Sequence, residues 1–100
     1  MPKSEKELEK INKLNKLEEE FNKAAEDIKN ANLTLDNETM AILYGNYKQA
    51  LEGDCNMEQP GFFDFKGKAK YEAWNECRGL TKEKAMKRYI KKTHHLLKKS

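Results

Sequence analysis

Apolar residues recur along this chain at gaps of three and four, and the recurrence breaks in three places. Over residues 4–31 the apolar positions are Leu8, Ile11, Leu14, Leu17, Phe21, Ala24, Ala25 and Ile28. Such gaps lay a stripe along one α-helix. Ser4 and Glu7 have the S-x-x-E form of a capping box at its start. The run NANLTLDN, residues 30–37, is rich in turn formers and reads as a loop. Asp36 suits the N-cap of a second helix over residues 37–52, and Gly53 stands at the position that stops it.

Residues 53–67, GDCNMEQPGFFDFKG, interrupt the pattern. Their glycines and Pro60 break regular structure. A loop of this length in a compact domain is functional or locally packed. Phe62, Phe63 and Phe65 favour packing. A third helix follows in GKAKYEAWNECRG and ends before Gly79. Thr81 caps a fourth over residues 82–98, whose stripe is Ala85, Met86, Tyr89, Ile90, Thr93, Leu96 and Leu97. No segment alternates with period two, so no strand is predicted. The expected class is all-α, with four helices.

Composition narrows the function classes. One hundred residues, 37% apolar and 37% charged, suit one domain with a modest core. No apolar run is long enough to span a membrane, and the first ten residues lack the apolar region of a secretory signal. Cys55 and Cys77 are too few for a disulfide framework, so the reading is a cytoplasmic protein with free thiols. The net charge of +3 is unevenly spread. Residues 82–100 hold eight basic side chains against Glu83 alone, while the first twenty are nearly balanced. A basic end can meet nucleic acid, an anionic membrane or a phosphorylated ligand.

Catalytic constellations are missing. His94 and His95 are adjacent, so they point about 100° apart, whereas zinc-binding histidines on a helix sit three or four apart. The two cysteines lack C-x-x-C spacing, and there is no glycine-rich phosphate loop. No metal, no cofactor and no catalytic residue is assigned.

Tyr44, Tyr47 and Lys48 share one helix face. Two readings are open. The tyrosines can cap the edge of the core while Lys48 snorkels outward. Alternatively, the rings and the ammonium receive a flat π system joined to an anion. Lys66, Lys68 and Lys70 bear on that choice. They cluster at the start of the third helix, where the helix dipole disfavours cations. Tyr89 adds a phenol to an otherwise aliphatic stripe.

The run YGNYKQALEGDCNMEQPGFFDFKGKAKYEAW, with KEKAMKRYI after it, resembles the acyl-CoA-binding protein family over about residues 21–99. The resemblance implies a four-helix bundle, its first helix here extended at the N-terminus, that holds one long-chain acyl-CoA. It implies an extension at residues 1–18 and a binding domain at residues 19–100. Tyr44, Tyr47 and Lys48 would meet the nucleotide, and Lys48 and Lys70 the 3′-phosphate. Tyr89 would close on the nucleotide, and Lys29 would add charge. Phe21, Ala25, Ile28, Met40 and Ala41 would line the acyl path.

Three positions depart from the family pattern: Tyr71 for a common tryptophan, Gln59 for a common arginine, and Ala41 for a larger aliphatic residue. They bear on chain-length preference rather than ligand class. The expected role is a cytoplasmic carrier, monomeric, with transient membrane contact for delivery and no nucleic-acid partner. The N-terminal extension could self-associate. A competing class is a helical interaction module that uses the long first helix and the basic last one.

Overall fold

The computed structural model describes residues 4–99; residues 1–3 of the predicted extension and Ser100 lie outside them. The described residues form four helices and no strand: α1 (Glu5–Ala31), α2 (Asn37–Glu52), α3 (Phe65–Asn75) and α4 (Lys82–Lys99).

Every helix start carries a side-chain cap, which occupies an N–H that the first turn would leave unpaired. Ser4 Oγ accepts from Glu7 N–H at 3.3 Å, and Asp36 from Thr39 N–H at 2.8 Å. Asp64 accepts from Gly67 N–H at 2.9 Å, and Thr81 from Lys84 N–H at 3.1 Å. Asp64 corrects the expected start of the third helix. Its cap opens α3 two residues before Gly67, inside the segment read as loop. At its other end the helix is shorter than expected: α3 stops at Asn75, and turns run on to Gly79 at φ 91°. The first loop is shorter as well, because α1 continues to Ala31 and ends on left-handed Asn32.

The helices neighbour one another in the order α1, α4, α2, α3. The molecule measures 55 × 35 × 16 Å, with a radius of gyration of 15.7 Å. A compact chain of this length has about 13 Å. Much of the excess is α1, whose 27 residues span about 40 Å. Leu8, near its start, is 48% exposed. The stripe reaches the core only from Leu17 onward, where Leu17, Phe21, Ala24, Ala25 and Ile28 join Leu43, Ala50, Ala85, Met86, Tyr89 and Ile90.

Close approach of α2 to α3 depends on Gly45. A Cβ there would run into the Ala73 backbone carbonyl. Polar side chains fasten the loops, Trp74 and Asp54 among them. Trp74 Nε1 donates to the Gly53 carbonyl at 2.8 Å. Asp54 Oδ1 accepts from Gln49 Nε2 at 2.9 Å and from Gly79 N–H at 2.8 Å, which ties the turn after α3 to the end of α2.

The Gly79 N–H, and then Gln49, hold the Asp54 carboxyl below its ordinary 3.8. The Thr39 contacts do the same for Asp36. A depressed carboxyl contributes stability that is full above its unfolded value and lost as pH falls through the folded one. The urea midpoint should therefore fall as pH drops below about 4, and Asp54→Asn should flatten that fall. An unchanged acid slope in the variant would contradict this role for Asp54.

Candidate functional site

Two grooves share Tyr44 as a wall. The first, of about 530 Å³, lies between α1 and α2, with α4 contributing Tyr89. Ala25, Glu26, Ile28, Lys29, Leu43, Tyr44, Tyr47 and Tyr89 line it. The second, of about 470 Å³, lies between α2 and α3. Asn37, Met40, Ala41, Tyr44, Lys66, Ala69, Lys70 and Ala73 line it. Both volumes fall in the range of small-molecule sites.

The first groove is built on an aromatic cluster. Phe21 stacks on Tyr47 with centroids 5.4 Å apart and meets Tyr89 edge-on at 5.1 Å. Tyr47 and Tyr89 lie 5.6 Å apart. Phe21 is 1% exposed, so it lies in the core beneath the tyrosines rather than on the groove wall. Burial, and then the neighbouring Tyr47, push the Tyr89 phenol above its ordinary 10.0.

The second groove is apolar at its base and basic at its rim. Met40 and three alanines supply the apolar surface. Lys66 and Lys70 supply the charge, and no acid lines it. Lys70 Nζ lies 5.8 Å from the Tyr44 ring centroid. Lys48 faces a different way. Its ammonium is paired with Glu52 one turn on and sits 4.8 Å over the Trp74 ring. The bond to Glu52 raises the Lys48 pKa first, and Tyr44 and Cys55 are also close enough to contribute. Lys48 thus adjoins Tyr44 without lining either groove.

The residues singled out from sequence are therefore placed as follows. Tyr44, Tyr47, Tyr89 and Lys29 meet at the first groove, with Ala25 and Ile28. Lys70, Met40 and Ala41 meet Tyr44 at the second. Of the expected acyl path, Ala25 and Ile28 line the first groove and Met40 and Ala41 the second, with Tyr44 common to both. Glu26, Leu43, Ala69 and Ala73 were not foreseen in the lining, nor Glu52 as the partner of Lys48. Helical spacing could have found Ala69 and Ala73, which fall on the Lys66–Lys70 face, and Glu52, four residues after Lys48. The three phenylalanines correct the sequence reading outright. Expected to pack, they are 73–81% exposed.

The helical module thus carries two adjoining grooves, one lined by phenols and one apolar with a cationic rim. The family model described as "Acyl CoA binding protein" matches residues 18–93. Three solved structures are similar over most of the chain. Acyl-CoA-binding protein 2 of Oryza sativa is 42% identical, with TM-score 0.79, covering 83% of this chain and 92% of its own. The protein of this name from Moniliophthora perniciosa is 36% identical, with TM-score 0.74, covering 82% and 81%. That from Babesia bovis is 34% identical, with TM-score 0.70, covering 81% and 93%. The chain belongs to the acyl-CoA-binding protein family, and its four helices have that family's fold.

Proposed function

We propose that this protein binds one long-chain acyl-CoA ester and carries it in the cytoplasm without altering it. The observation that carries the reading is the position of Tyr44 between two grooves of different chemistry. An acyl-CoA has matching parts: a flat base, phosphates and an apolar chain. The base lies among Tyr44, Tyr47 and Tyr89, near Lys29. The chain lies on Met40, Ala41, Ala69 and Ala73. The 3′-phosphate sits beside Tyr44, within reach of Lys70 and of Lys48 once it leaves Glu52.

Burying a sixteen-carbon chain yields roughly 12 kcal/mol gross at about 0.8 kcal/mol per CH₂. Association and ordering remove several kcal/mol of this. The phosphate contacts then bring nanomolar binding, about −12 kcal/mol, within reach. No catalytic group is needed for that work. In this reading residues 19–100 are the binding unit of a monomer and residues 1–18 an extension, whose described part lengthens α1 from Glu5 onward.

Titration calorimetry with palmitoyl-CoA should show one tight site with a negative heat-capacity change. Palmitate should bind far more weakly; equal affinity for both would sink the proposal. Lys70→Ala should cost about 1.5–3 kcal/mol against palmitoyl-CoA and much less against the dephospho-CoA ester. Lys48→Ala should cost less than Lys70→Ala, because binding first gives up the Glu52 pair. That exposed pair is worth at most about 1 kcal/mol, so Glu52→Gln should tighten binding by up to about fivefold. Equal losses for the phosphorylated and dephosphorylated esters would place the phosphate elsewhere.

A further inference from the structure

The turn that leads into α3 carries its apolar surface outward. Asp64 N–H donates to the Gly61 carbonyl at 3.0 Å, which leaves Phe62 and Phe63 at the tip of a tight turn. Their rings meet edge-on at 5.1 Å, yet they are 74% and 81% exposed, and Phe65 is 73% exposed. A Cβ added at Gly61 would meet nothing within 4 Å, so no other element covers the base of the turn. None of the three rings lines either groove. An exposed cluster of large apolar rings is informative where a scattered single residue is not.

The charge beside the rings is predominantly positive. Residues 60–70 contain Lys66, Lys68 and Lys70 and one acid, Asp64. That carboxylate is exposed and accepts from Gly67 N–H to cap α3. Lys68 Nζ lies 4.8 Å over the Phe62 ring.

We propose that this tip is a docking surface for an anionic lipid bilayer. Phe62, Phe63 and Phe65 enter the boundary between headgroups and acyl chains. Lys66, Lys68 and Lys70 remain at the level of the lipid phosphates. Apolar rings beside lysines are the composition of segments that lie in a membrane interface, and lysines near an anionic leaflet are drawn to its negative potential. A two-residue tip projecting from a turn favours a deformable bilayer over a folded partner, which would need a preformed cavity for both rings. The contact is superficial: among the described residues no helix is long and apolar enough to cross a membrane. Lys66 and Lys70 also line the α2–α3 groove, so the docked surface adjoins it. The use of that adjacency for loading rests on the acyl-CoA reading; the docking itself does not.

The test is cosedimentation of the ligand-free, full-length protein with vesicles. One set is a three-to-one mixture of phosphatidylcholine and phosphatidylserine, and the other is phosphatidylcholine alone. The parent protein should partition onto the mixed vesicles and much less onto the neutral ones. Phe62→Ser with Phe63→Ser should lower partitioning onto the mixed vesicles by about tenfold or more. Lys68→Gln should lower it by a few-fold there and leave the neutral vesicles unaffected. Circular dichroism should show the variants folded, and palmitoyl-CoA titration without vesicles should match the parent. A phenylalanine variant that partitions like the parent overturns the proposal. So does a parent that stays in the supernatant with anionic vesicles, which would point instead to a protein partner. Failure to bind palmitoyl-CoA would count against the ligand reading and leave the docking result standing.

Discussion

Phe21→Ala should lower the free energy of unfolding by about 3–5 kcal/mol, the cost of removing a fully buried aromatic ring. Phe21 is among the largest fully buried side chains and touches both tyrosines of the first groove. Its loss would leave a cavity under Tyr47 and Tyr89, and the phenols would settle toward it. Ligand affinity should therefore fall although Phe21 does not line the groove. Urea denaturation followed by circular dichroism measures the first effect, and palmitoyl-CoA calorimetry the second. Phe21→Leu keeps most of the volume and should retain a measurable folded state. A loss under about 1 kcal/mol for Phe21→Ala would show that the cluster is not a unit. Normal affinity in a clearly destabilised variant would show that the tyrosines are positioned without it.

Trp74→Ala should be as severe, about 3–5 kcal/mol, for a different set of reasons. Trp74 is 1% exposed and is the only tryptophan in the chain. Its indole N–H holds the Gly53 carbonyl at 2.8 Å, which fixes the exit of α2. Its ring face holds the Lys48 ammonium at 4.8 Å. Truncation thus removes packing and a hydrogen bond, and frees Lys48 on the ring side. Trp74→Phe separates these parts. It keeps a ring for Lys48 and much of the packing, but leaves the Gly53 carbonyl without its donor, at about 1–3 kcal/mol. Because the intrinsic fluorophore is lost, the readout is circular dichroism. Equal stability of Trp74→Phe and the parent would mean that water satisfies Gly53 without cost.

Both substitutions act on residues that neither of the two site grooves displays. The grooves lie over parts of the core that are aromatic or closely approached, and their walls inherit their positions from it. Gly45 makes the same point for the second groove, since the Ala73 carbonyl occupies the space its side chain would need.

Some of this was legible in the chain alone. Four helices follow from apolar spacing. Three of the four caps, at Ser4, Asp36 and Thr81, follow from residue type at the right place. Helical periodicity and capping are short-range: each involves residues at most four apart, so a linear sequence displays both partners. Tyr44, Tyr47 and Lys48 could be recognised as neighbours for the same reason. Asp64 was legible in kind but was hidden by the phenylalanines around it, whose apolar character suggested a packed loop.

The tertiary structure decided what each side chain faces. Phe21 and Ala25 belong to one stripe, yet one is in the core and the other on a groove wall. The difference arises because α1 packs on α4, whose Tyr89 meets Phe21. Ala41 and Ala25 open onto separate grooves because α2 has α4 on one flank and α3 on the other. Phe62, Phe63 and Phe65 are exposed because they stand at the turn into α3 and on its first residue, outside the core cluster. These outcomes depend on contacts between residues far apart in the chain, and such contacts exist only once the helices have taken the order α1, α4, α2, α3.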